Sequence, residues 1–170
     1  LRNSLTLVSG PEAHTDDEAW MIEKLNQDGQ DLDRFNPREF LLAVDDETEE
    51  RFAFGRTEYI RNVDDTEYVE INSFIVLDRS EDSHGQQLLS DLVDRVNRED
   101  QNQVFAFPHN DHEDFRDVGF SEVDQESLPT VMQERYKEEK GRHGESEVTP
   151  LMAQPNQVEH EEEDDDDEYE

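Results

Sequence analysis

Apolar residues in this 170-residue chain fall into short blocks whose spacing switches between that of a strand and that of a helix. Residues 5–9 form a β-prone run closed by Gly10 and Pro11. Thr15-Asp16-Asp17-Glu18 then reads as a capping box ahead of Trp20, Met21, Ile22 and Leu25, which predicts an amphipathic helix. Residues 39–44 and 51–60 are rich in β-formers and are separated by a run of six polar residues, 45–50. A third such run covers 68–77, after a polar turn at 62–65. Three consecutive strands joined by polar turns predict an antiparallel meander.

The clearest helix comes next. Leu88, Leu89, Leu92, Val93 and Val96 share one face at helical spacing, while Asp91, Asp94, Arg95 and Arg98 fall elsewhere. Ser83 stands three residues before Gln86, the spacing of a capping box, so its hydroxyl is placed to accept from a first-turn amide. Residues 104–107 predict a strand, 112–118 a short helix, Gly119-Phe120 a return to extended chain through Val123, 128–139 a last helix, and 148–152 a last strand. The expected domain is residues 1–152. From Gln154 onward the composition turns to Asp and Glu, so residues 153–170 are expected to form a disordered acidic tail. There is no internal repeat.

Composition changes this picture in one respect. The formal net charge is -33 and only 31% of residues are hydrophobic, values that ordinarily point to disorder, yet the apolar residues are clustered and periodic. Acid is dispersed along the whole chain, and lysine occurs only at Lys24, Lys137 and Lys140. This pattern is read as adaptation to high salt, where the screening length falls to ~3 Å and self-repulsion of the acidic shell fades. Nucleic acid and anionic membranes are disfavoured partners, since both would be repelled. With no cysteine there is no disulfide, thiol nucleophile or thiolate metal site, which fits a reducing cytoplasm. No apolar run reaches the ~18 residues of a membrane span, and the N-terminus lacks the pattern of a signal peptide. The chain opens on Leu1, so its true start is expected to be missing or misread.

A strand running through a glycine-containing turn into a capped helix makes an anion site, because first-turn amides point outward at the positive end of the helix dipole. Residues 75–86 have this form, and phosphate or pyrophosphate is the natural ligand class; a plain strand-to-helix connection would look the same. The strand Glu70-Ile71-Asn72-Ser73-Phe74-Ile75-Val76, the turn Ser80-Glu81-Asp82-Ser83-His84-Gly85 and the succeeding Leu88-Leu89 resemble the central motif of the GNAT superfamily of acyl-CoA N-acyltransferases. Phe115-Arg116-Asp117-Val118-Gly119-Phe120 resembles the family's aromatic-then-Gly-Phe signature, and the similarity extends over roughly residues 5–152. Leu128-Pro129 through Tyr136 is similar to the N-acetylglutamate synthase group.

The resemblance implies an α/β fold with a mixed, twisted sheet and helices on both faces. It implies acetyl-CoA as co-substrate and a small-molecule or peptide amine as acceptor, in a monomer or homodimer. The main chain of Ile75 and Val76 would pair with the pantetheine arm, and amides of Ser83, His84, Gly85 and Gln86, with Ser80 beside them, would hold the pyrophosphate. Ser80 and Ser83 stand where Gln or Arg and Gly are usual, and Glu81 and Asp82 add negative charge; Arg79 or Arg116 would offset it by pairing with a CoA phosphate, or either is a surface arginine among acids.

Direct attack of an amine on a thioester requires a base for the ammonium and an acid for the thiolate. Glu70 on the central strand is the candidate base, or a surface glutamate; His109, or else His112, is the second candidate. Phe115 occupies the position at which many relatives carry an acidic tyrosine. Asn72 and Ser73 face substrate or serve the sheet. His109, Asp111 and His112 lack the spacing of a metal site, and none is expected. The competing class is a non-catalytic acidic interaction protein on a degenerate scaffold of this fold. The salt reading predicts that the thermal midpoint climbs steeply between dilute and molar KCl; a midpoint indifferent to salt counts against it.

Overall fold

The computed structural model describes residues 5–9, 15–29, 32, 35–77, 82–98, 103–108, 112–143 and 148–154. Of the tail expected at 153–170, residues 155–170 lie outside them, as do Arg79, Ser80, His109 and Asp111, while Ala153 belongs to the last strand. Seven strands form one sheet in the order β1-β2-β3-β4-β5-β7-β6. They are β1 (Leu5–Ser9), β2 (Phe40–Asp45), β3 (Arg51–Arg61), β4 (Glu67–Val76), β5 (Val104–Ala106), β6 (Ser121–Glu122) and β7 (Leu151–Ala153). The helices are α1 (Thr15–Gln27), α2 (Asp82–Arg98), α3 (His112–Asp117) and α4 (Thr130–His143). The sheet is mixed: β4 and β5 run parallel, whereas β1 with β2, β2 with β3, and β7 with both β5 and β6 are antiparallel. Among the described residues no helix is long and apolar enough to cross a membrane.

The chain divides into two compact units. The first comprises residues 1–58 and 71–92. Its core joins Met21 and Leu25 of α1 to Phe40 and Leu42 of β2 and Phe54 of β3, with Trp20 set edge-on to Phe54 at 5.6 Å. Ile22, expected on the apolar face of α1, is 37% exposed. Arg51 donates to Asp17 at 2.7 Å and lies over the Trp20 ring, so the acidic first turn of α1 is tied to the start of β3. The acidic loop after β2 is held by Asp45, whose Oδ1 accepts the amides of Glu47 and Thr48 at 2.8 Å each. That is the local turn chemistry an aspartate supplies.

Two neighbouring residues of β3 show which faces the helices of this unit cover. Phe54 packs into the α1 core, while a Cβ added to Gly55 would lie 2.7 Å from Cδ1 of Leu92 on α2 and 3.3 Å from Cδ1 of Phe74. Successive strand residues point to opposite faces, so α1 and α2 cover opposite faces here, as expected. Leu88, Leu89 and Leu92 are fully buried, and α2 spans the predicted stripe. It starts at Asp82, which makes Ser83 its second residue rather than a cap in front of it.

The second unit comprises residues 59–70 and 93–170. Its core gathers Ile60, Phe105, Phe107, Leu128, Met132, Tyr136 and Val148. The last helix runs from Thr130 to His143 and extends past the predicted end at 139. The last strand is Leu151–Ala153, not 148–152, and it inserts between β5 and β6. Gly119 ends α3 with φ 114. Its amide donates to Arg116 O at 3.1 Å and that of Phe120 to Phe115 O at 3.0 Å, the bonding of a Schellman cap, while the Phe115 and Phe120 rings meet edge-on at 5.2 Å.

Leu92 is fully buried and cannot swing aside without disturbing its neighbours. Gly55→Val is therefore expected to destabilise by about 1–3 kcal/mol through overpacking, read from urea denaturation in molar KCl.

Candidate active site

β4 carries the sequence-predicted strand residues, and its side chains do not alternate throughout. Phe54, Arg56 and Glu58 lie on one face of β3 by period two, and Arg56 sits over the Phe40 ring on that face. Asn72 belongs to the same face, since its Nδ2 donates to Glu58 Oε1 at 3.0 Å. Ile75 packs against the Phe54 core and so shares that face, while Phe74 meets the Gly55 side. Asn72 and Ile75 are three residues apart, which an unbroken strand does not allow. The extra residue is Ser73, whose φ of 54 places it in the left-handed region. A non-glycine residue there inside a strand is a bulge that re-aims the remainder of the strand. No sequence signal marked it, because serine is neither glycine nor asparagine.

Past the bulge the Leu77 amide donates to Phe52 O at 2.8 Å, so Leu77 turns its main chain toward β3. Alternation along extended chain then directs the main-chain groups of Val76 to the opposite edge and those of Ile75 toward β3. The side chains of both are half-buried. Gly85 is buried in the first turn of α2, to which Ser83 and His84 belong through their main chain; Gln86, half-buried and expected among the anion-holding amides, is the fifth residue, where the helix's own bonding takes up its amide. A 17-residue helix carries its positive dipole end at this turn.

Glu70 points into the protein. It is 2% exposed, and Arg135 Nε of α4 donates to its Oε1 at 2.8 Å. This pairing belongs to the second unit, where β4 and β5 are in register at Val69↔Val104 and Glu70↔Phe105. A buried carboxylate requires such a partner. Arg135 carried no signal in the sequence because charged and apolar residues of α4 are not cleanly sorted by helical period. A second buried polar group was hidden in the same way: Arg56, 8% exposed, donates through Nε to Glu39 at 2.8 Å and stands 3.7 Å from Glu58.

Phe115, at the position where many relatives carry an acidic tyrosine, is 2% exposed and serves as the apolar partner of Phe120 in the helix cap. Arg116 is exposed and lies 3.7 Å from Glu122, a surface pair worth little. Among the described residues no group of three His, Asp or Glu side chains could hold a metal ion; His109 and Asp111 lie outside them, as does the side chain of His112.

The strand order and the β4 to α2 arrangement define a class. The chain has the GNAT acyl-CoA N-acyltransferase fold. N-acetylglutamate synthase from Neisseria gonorrhoeae, complexed with coenzyme A and N-acetyl-glutamate, superimposes with a TM-score of 0.67 at 20% identity over 91% of this chain. The match spans 36% of the synthase, so this chain corresponds to about a third of it. Rv2747 from Mycobacterium tuberculosis, in complex with CoA and NLQ, matches with a TM-score of 0.65 at 14% identity, covering 88% of this chain and 98% of the other. A chain of the NatC complex bound to Gag peptide and CoA matches with a TM-score of 0.60 at 10% identity, covering 89% and 98%. No protein-family model matches the sequence, and no curated protein matches it significantly.

The ion pair makes its own prediction. Arg135→Met leaves a buried carboxylate without its guanidinium and should cost about 3–5 kcal/mol, whereas Glu70→Leu combined with Arg135→Met should recover most of that loss in urea denaturation. Equal losses in the single and the double variant would mean that the pair is not the source.

Proposed function

We propose that the chain binds acetyl-CoA and transfers its acetyl group to a primary amine. The observation that carries this reading is the sequence of parts along β4 and α2: a bulged strand with Val76 turned to the edge opposite β3, then a helix of 17 residues with Gly85 buried in its first turn. Main-chain groups of that edge suit the amides of a pantetheine arm, and the first-turn amides of Ser83, His84 and Gly85 suit a pyrophosphate. Support comes also from fold neighbours crystallised with coenzyme A.

In the proposed reaction the acceptor ammonium loses a proton to Glu70, and the free amine attacks the thioester carbonyl carbon. The C–N bond forms as the C–S bond breaks, and the amine's second proton is released as the amide forms. Arg135 holds the Glu70 carboxylate in position. Phe115 has no proton to give and is part of the core, so the departing thiolate takes its proton from solvent. His109 is the alternative base. N-acetyl-glutamate in the Neisseria synthase and a peptide in NatC mark the two acceptor classes, a small amino acid or a peptide N-terminus. Phe115 also favours the second reading, a scaffold of the same fold without turnover.

Titration calorimetry with acetyl-CoA in molar KCl, then thiol release on adding glutamate or a short peptide, separates the two. Saturable binding with amine-dependent thiol release is expected; silence in both supports the scaffold. Gly85→Val should abolish binding while circular dichroism remains unchanged. Glu70→Gln, which keeps shape and a hydrogen bond to Arg135, should lower kcat by about 100-fold or more with acetyl-CoA affinity retained.

A further inference from the structure

The second unit contains a recess that the proposed reaction does not use. Its volume is about 530 Å³, within the ~300–1,000 Å³ typical of small-molecule sites. Phe105, Met152 and Tyr68 give it an apolar, partly aromatic wall, with Tyr68 edge-on to Phe105 at 5.9 Å. Gln103, Ser127 and Thr130 bring an amide and two hydroxyls to the same space.

The charge of this lining is out of keeping with the chain. Charged residues make up 37% of the sequence, so ten positions drawn at that frequency would hold three or four, yet none of the ten described residues around the recess is charged. An anion entering would give up hydration and would find no lysine or arginine among the described residues of the wall. A cation would find no carboxylate among those described residues to replace its hydration. A neutral molecule incurs neither cost.

The walls are also fixed in advance. Leu128 and Ser127 close a 3-10 turn through main-chain bonds of 3.1 and 3.0 Å, and the Val131 amide donates to Asn62 Oδ1 at 3.3 Å, tying the start of α4 to the turn between β3 and β4. A recess held open this way does not require the ligand to order it.

We propose that this recess binds an uncharged small molecule with a flat apolar ring and one hydrogen-bonding group, the ring on Tyr68, Phe105 and Met152 and the polar group toward Gln103, Ser127 and Thr130. Three probes of matched size and different charge test it: benzamide, benzoate and benzylamine, titrated in molar KCl while backbone amide resonances are tracked by NMR. Benzamide should shift Tyr68, Phe105 and Thr130 saturably at millimolar concentration, and the two charged probes should bind about tenfold more weakly or worse. Ser127→Trp, at an exposed position on the rim, should remove benzamide binding without moving the thermal midpoint, and Thr130→Trp is an independent second block. The proposal is overturned if benzamide does not saturate, if the charged probes bind as well, or if binding survives both blocks. None of these readouts depends on acetyl-CoA.

Discussion

Side chains on a strand must alternate between two faces, and β4 meets that constraint only by carrying one residue too many. Asn72 is committed to Glu58 and Ile75 to the α1 core, both on the face that Phe54 occupies. Ser73 absorbs the mismatch with a left-handed φ. Such a conformation costs on the order of 1–3 kcal/mol, comparable with what burying an isoleucine returns, so the bulge persists because the packing on either side of it is satisfied. It also decides which main-chain groups face the edge away from β3, which is the feature an extended ligand would read.

Each unit carries buried charge of its own. Arg56 stands beside Glu39 and Glu58 in the first unit, and Arg135 beside Glu70 in the second. In a chain with 48 acidic and 15 basic residues, arginines placed inside are conspicuous, since each one there is withdrawn from a surface that repels itself. Buried pairs of this kind seldom add net stability, but removing one partner is costly. They fix where carboxylates can stand, and Glu70 keeps its position on β4 because Arg135 reaches it.

Much of the architecture was legible one element at a time. The stripe of Leu88, Leu89, Leu92 and Val96 predicted α2, and the polar runs at 45–50 and 62–65 predicted the turns between β2, β3 and β4. Boundaries slipped where local chemistry was weaker: α4 runs longer than 128–139, and the last strand begins at Leu151. The aromatic-then-Gly-Phe signature was visible, but the physical role of Phe115 was not. Its ring closes the cap of α3 against Phe120, a role that depends on Gly119 turning the chain.

The sequence by itself determined the order of strands and helices, the turns between them and the glycine-bearing start of α2, because periodicity, capping and turn preference act over a few neighbouring residues. Only the tertiary structure decided that Glu70 turns inward to a guanidinium 65 positions away, that Ser73 breaks the alternation of β4, and that the described residues lining the recess around Phe105 are uncharged. Those outcomes depend on which distant side chains share a face, and no local pattern encodes that.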